Sequence, residues 1–195
     1  MDCKKTMETL RNQGYEATYF ETAVEAAEYL CDNIKGETVG FGGSVTSREM
    51  NLYELLGKEN KVYWHWVEKE DIKKYPEFTV YITSANALAE TGEIVNIDGG
   101  GNRVSATLYG PKKLYFVIGT NKIVPDFQSA VDRARNVAAP QNAIRLKRDT
   151  PCTKTGRCHD CSSPERICRG MSVHMRPLSG AKRTEIVLIG EKIGY

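Results

Sequence analysis

Leu114-Tyr115-Phe116-Val117-Ile118-Gly119 runs directly into Thr120-Asn121-Lys122. An unbroken apolar run of this length shows no polar alternation. That marks a strand covered on both faces, the kind found in parallel sheets flanked by helices. Its polar exit then falls at the carboxyl end of the sheet, where open α/β folds hold their ligands. Thr79-Val80-Tyr81-Ile82-Thr83 has the same character and exits into Ser84-Ala85-Asn86.

Working outward, residues 4–13 predict a short helix and 17–20 a strand. Thr22, with Glu25 three residues on, is a helix-start signature. Val24, Ala27, Leu30, Cys31 and Ile34 then recur at helical spacing until Gly36. Residues 38–41 and 62–67 read as strands, with a helix from about Val45 between them. A helical turn is expected over 71–75, closed by Pro76, and another over 84–89. Residues 93–97 read as a strand whose short connections make it an antiparallel member. Residues 126–138 form an amphipathic helix with Phe127, Ala130, Val131, Ala134 and Val137 inward, stopped by Pro140. Residues 185–189 are a last buried strand. The expected fold class is α/β: an open, mixed, mostly parallel sheet with helices on both faces. One domain over 1–195 accounts for the length.

Composition narrows the function classes. The chain is 41% hydrophobic and 27% charged, so it is globular and not disordered. The net charge of +2 hides an asymmetry. Residues 145–183 carry ten Lys/Arg against three acids, a local +7, and the remaining residues, with seventeen against twenty-two, carry −5. Apolar runs such as 115–118 are too short to cross a bilayer, and residues 1–5 lead into no apolar core of a signal peptide. The expected location is the cytoplasm, where clustered thiols are metal ligands or redox groups more often than disulfides. Few aromatics interleave with the basic residues, which argues against nucleic acid as a partner.

Three further polar turns bear on binding. Gly40-Phe41-Gly42-Gly43-Ser44-Val45-Thr46 lies where a strand meets a helix, so backbone amides and the Ser44 and Thr46 hydroxyls suit an anion; an N-cap role for Ser44 is the plainer alternative. Glu90 follows Ser84 and Asn86 and is the candidate proton-transfer carboxylate, against a plain surface position. Asp98-Gly99-Gly100-Gly101-Asn102-Arg103 offers close backbone approach and a guanidinium for carboxylate or phosphate. Asn121 and Lys122 sit at the edge of the same expected crevice. The candidate small-anion set is therefore Gly42, Gly43, Ser44, Thr46, Ser84, Asn86, Asp98, Gly99, Gly100, Asn102, Arg103, Asn121 and Lys122, with Glu90 and Lys122 as the candidate catalytic groups.

Residues 145–183 read as a basic, cysteine-rich insertion before the last strand. Cys152, Cys158, Cys161 and Cys168 fall within 17 residues, and the two-residue gap of Cys158 and Cys161 lets both sulfurs face one ion. Four thiolates suit an iron–sulfur cluster, 4Fe–4S favoured, or zinc. A redox dithiol at Cys158 and Cys161 is the alternative. His159 and His174 are spare ligands; Cys3 and Cys31 read as terminal and core residues.

Jointly, Gly42-Gly43-Ser44, Thr83-Ser84-Ala85-Asn86-Ala87, Glu90-Thr91-Gly92, Asn96-Ile97-Asp98-Gly99, Asn102-Arg103, Gly119-Thr120-Asn121-Lys122-Ile123-Val124, Val137-Ala138-Ala139-Pro140, Thr150-Pro151-Cys152 and Gly190-Glu191-Lys192-Ile193-Gly194-Tyr195 resemble the LUD-domain (lactate-utilisation) family. The resemblance implies a fold similar to sugar-phosphate isomerases and CoA transferases. It also implies a role in oxidation of a 2-hydroxy acid or the associated electron transfer, beside an iron–sulfur redox partner protein; a homodimer is compatible with it. Two alternatives stay open: a zinc-stabilised, non-catalytic assembly or regulatory module, and an isomerase- or CoA-transferase-like enzyme using Glu90.

Overall fold

A computed structural model describes residues 3–68 and 77–195; the helical turn expected over 71–75 and Pro76 lies outside the described residues. The main sheet has six strands, all parallel, in the order β1 (Glu16–Phe20), β10 (Arg183–Ile189), β7 (Lys113–Gly119), β4 (Val80–Thr83), β2 (Thr38–Phe41), β3 (Lys61–Tyr63). Helices α1 (Cys3–Asn12), α2 (Ala23–Asn33), α3 (Val45–Glu49), α4 (Leu52–Leu56) and α5 (Asn102–Leu108) belong to its connections. The apolar runs are buried on both sides, as their lack of alternation demands. Tyr115 and Val117 pack into one cluster with Leu30, Val39, Ile82 and Val187. Leu114, Phe116 and Ile118 face the other, with Leu10, Tyr81, Ile186 and Leu188. Cys31 packs at the edge of the first cluster and Cys3 at the edge of the second.

The capping box at Thr22 forms in full: its hydroxyl accepts from Glu25 N, and the Glu25 carboxylate accepts from Thr22 N. The helix face read in the sequence turns inward except at its first residue: Ala27, Leu30 and Ile34 are buried and Cys31 packs against the core. Ala26 is buried too, while Val24 is 66% exposed. Capping fixed where the helix starts; packing chose which side turns in.

The antiparallel strand is real but belongs to a second sheet. Its order is β8 (Ile123–Val124), β5 (Ala87–Ala89), β6 (Ile94–Asp98), β9 (Gly170–His174). Strand β6 runs antiparallel to both β5 and β9. The expected helical turn over 84–89 is thus corrected to strand β5. Ala and Leu have no strong strand preference, but pairing with β6 and β8 satisfies their backbone. The strand expected over 62–67 ends at Tyr63, and the Val67 and Glu68 amides donate to the Trp64 carbonyl in a turn.

Pro140 does not stop the last long helix. Helix α6 (Phe127–Arg133) widens into a π-turn (Ala134–Ala138) and continues as α7 (Ala139–Arg145). The Ala139 amide donates five residues back to Ala134, and this wider turn lets the helix carry a proline past the point where an α-turn would clash. Phe127 and Val137, expected inward, are exposed; Ala130, Ala134 and Ala138 are the buried positions. The segment read as a cysteine-rich loop contains α8 (Pro151–Thr155) and supplies β9 to the second sheet. Among the described residues, no helix is long and apolar enough to cross a membrane.

Candidate functional site

Strands β2, β4 and β7 are neighbours, so their carboxyl ends converge. The chain leaves β2 toward β3 and leaves β4 toward β7, in opposite directions along the sheet, which opens a crevice between them. A cavity of about 470 Å³ occupies it. Gly43, Ser44, Ser84, Asn86, Asp98, Gly99, Gly100, Asn102, Arg103 and Lys122 all line it. The structure therefore gathers ten of the candidate anion-binding residues around one space.

Lys122 is its chemical centre. It ends the single 3₁₀ turn (Thr120–Lys122) that follows β7 and is 2% exposed. Its Nζ donates to Thr46 Oγ1 at 2.8 Å and to Ser84 Oγ at 2.9 Å. Burial, together with the positive charges of Arg133 and Arg103, lowers its pKa to about 7; Glu49 opposes this weakly. The fold thus buries a side chain that is ordinarily solvated.

Thr46 does not line the cavity but anchors Lys122 from beneath. Asn121 also lies behind the wall. Its side chain donates to the Gly194 carbonyl at 3.0 Å and accepts from Ile193 N, drawing residues 193–195 across the site. A Cβ on Gly194 would come within 3.0 Å of Lys122 Nζ, so this close cover over the amine requires glycine. Gly42 continues the sheet ladder by donating to Ile82 O and does not reach the cavity. Ser44 has the capping role as well as a place in the lining: its hydroxyl accepts from Ser47 N.

The glycine turn is organised by Asp98. Its carboxylate accepts from the Gly100, Arg103 and Val104 amides and so caps α5. Arg103 then reaches back, donating to Gly43 O, Asn86 Oδ1 and Ile97 O. Gly99 lets the cysteine segment approach, since a Cβ there would meet Ile167 O at 2.8 Å. Asn86 is a junction: its Oδ1 accepts from Ile97 N as well as from Arg103.

The rest of the lining was not read from the sequence. It includes His65, Trp66, Asn142, Arg145, Arg148, Arg166, Arg169 and Tyr195. The Arg145 guanidinium lies 4.5 Å from the Trp66 ring centre, and it donates to Tyr195 Oη at 2.7 Å and to Asn142. Six cationic side chains (Arg103, Lys122, Arg145, Arg148, Arg166, Arg169) face two carboxylates (Asp98, Glu165) around the cavity. The +7 segment was the available signal: much of its charge is delivered here.

Glu90 is not among the lining residues. It sits in the β5–β6 turn, its amide donating to Val124 O, beside Gln13, which donates to Thr91 O. Four residues of chain beyond Asn86 carry it past β5, outside the lining of the cavity.

Nor do the four cysteines converge. Cys158 and Cys168 line a second cavity of about 210 Å³ with Arg135, Arg166 and Arg169; Cys152 and Cys161 do not line it. Cys158 Sγ accepts from Arg135 and from Asp160 N, while Cys152 Sγ pairs with Thr150 Oγ1. Among the described residues, no group of three or more His, Cys, Asp or Glu side chains is arranged to hold a metal. His174 is buried against Phe116, and desolvation lowers its pKa to about 4.

Comparison with known proteins bears on the family and the fold. No curated protein matches the sequence. A DUF162 family protein from Deinococcus radiodurans, known from a crystal structure, shares the fold at a TM-score of 0.58 with 13% identity, over 96% of this chain and 95% of that one. A ribose 5 phosphate isomerase A from Neisseria gonorrhoeae is similar over 54% of either chain, with 19% identity and a TM-score of 0.38. The full-length likeness carries the fold; the partial one does not. The LUD domain family model matches residues 3–189, nearly the whole length, and the chain belongs to the LUD domain family.

Proposed function

We propose that this LUD domain protein binds a small anionic metabolite, a carboxylate or a phosphate, at the carboxyl ends of β2, β4 and β7, with Lys122 as its proton-transfer group. One observation carries the reading: a buried lysine held by two hydroxyls lies in a cavity lined by five arginines. Guanidinium forks match carboxylate and phosphate oxygens, and burial strengthens the attraction. Trp66 and Tyr195 hold Arg145 in place, so part of its ordering cost is met before the ligand arrives. The family's association with lactate utilisation makes a 2-hydroxy acid and its 2-oxo acid the first compounds to test. Oxidation of such a compound would pass its electrons to a redox partner protein, and that partner belongs to the proposal.

Titration calorimetry with lactate, pyruvate and inorganic phosphate tests it. Saturable binding is expected, weakening as ionic strength rises. Arg145→Ala should weaken it by about tenfold, the equivalent of ~1.4 kcal/mol. Absence of binding by all three ligands at millimolar concentration sinks the reading.

A metal centre at Cys152, Cys158, Cys161 and Cys168 rests on their spacing in the sequence. Iron, zinc and acid-labile sulfide in anaerobically purified protein decide it. Stoichiometric metal lost in Cys158→Ser would establish the site, and absence of metal would remove it.

A further inference from the structure

We propose, building on the anion-binding reading above, that the ligand is an anionic aldehyde or ketone and that the Lys122 amine condenses with its carbonyl carbon to form an imine. Three features of the cavity lead there. Lys122 lines the space, and its Nζ is hydrogen-bonded to Ser84, another residue of the lining. Both of its hydrogen-bond partners are neutral hydroxyls, Thr46 and Ser84, which leave it free to lose a proton. Arg103, Arg145, Arg148 and Arg166 supply anchors for the anionic end, leaving the carbonyl end to reach the lysine. Burial and the nearby Arg133 and Arg103 maintain a fraction of neutral amine near pH 7, and a desolvated neutral lysine is a carbonyl nucleophile.

The step balances without a cofactor. The Nζ lone pair adds to the carbonyl carbon, the C=O π pair moves to oxygen, and that oxygen takes a proton relayed by the Ser84 or Thr46 hydroxyl. The carbinolamine then loses water as nitrogen gives up its protons, so a C–O bond breaks and C=N forms. Nothing is oxidised or reduced. A lysine that served only as a fixed cation would form no such bond.

Reductive trapping separates the two. The full chain is incubated near pH 7 with glyoxylate, pyruvate or glyceraldehyde 3-phosphate and sodium cyanoborohydride, then mapped by peptide mass spectrometry. Binding of each compound is measured in parallel by calorimetry without reductant. The expected result is a reduced adduct at Lys122 ahead of exposed lysines such as Lys154, suppressed by inorganic phosphate and lost in Lys122→Met. The oxo-carboxylate and phospho-aldehyde arms tell which anionic group the cavity takes. Binding with Lys122 unlabelled would overturn the imine and leave the anion-binding reading standing. Neither binding nor labelling would overturn both.

Discussion

Lys122 carries a charge that its surroundings work against. The residue is 2% exposed, and its pKa falls from 10.5 to about 7. Below about pH 7 the folded protein holds the proton and bears the full cost of burying it. Between there and 10.5 the unfolded chain binds more protons than the folded one, so stability from this residue rises with pH; above 10.5 the cost is gone. Lys122→Met should therefore raise Tm, by roughly 5 °C at pH 6, with the gain shrinking toward pH 10. Thermal melts across that range check it, and a variant destabilised at pH 6 would contradict the burial argument. The sequence placed Lys122 at a strand exit, but nothing in Gly-Thr-Asn-Lys says that the side chain turns inward. That depends on Thr46 and Ser84, 76 and 38 residues away, offering it hydroxyls.

Among the elements, α5 shows how a turn can serve both stability and the site. Asp98 accepts from three amides at its start, and the same turn holds Arg103 against Gly43, Asn86 and Ile97. Asp98→Ala should cost about 1–2 kcal/mol in urea unfolding and weaken phosphate binding, while Asp98→Asn should keep most of both. An Asn variant as impaired as Ala would mean that charge, and not capping, is what the turn needs. The glycines of this turn were legible; α5 behind it was not, because Asn102-Arg103-Val104-Ser105 has neither helical periodicity nor a strong propensity. The π-turn before Pro140 was equally hidden. Proline reads as a stop, and only the packed helix shows that one widened turn brings Asn142 and Arg145 to the cavity.

Across the whole molecule, the two ends of the parallel sheet do different work. The carboxyl end holds the cavity. At the amino end, Glu185 is fully buried, accepting from Thr18, Tyr29 and Arg183. This network ties β1, α2 and β10 together, and the carboxylate raises the Tyr29 pKa to about 12, after the larger effect of burial. Glu185→Ala should destabilise by about 2 kcal/mol, since it leaves two hydroxyls without their acceptor and takes one of two carboxylate partners from Arg183, which keeps Glu16; urea unfolding measures this, and anion affinity should stay unchanged. The unbroken apolar runs of the sequence sufficed for the central strands of the parallel sheet, because a strand buried on both faces is apolar at nearly every position. Strand exits follow from strand direction, so ten of the lining residues could be named without coordinates. Convergence could not. The place of Glu90 outside the cavity lining, the burial of Lys122 and the gathering of arginines from residues 145–169 are long-range outcomes. They are set by how separate segments pack, and no local pattern encodes the distance between side chains far apart in the chain.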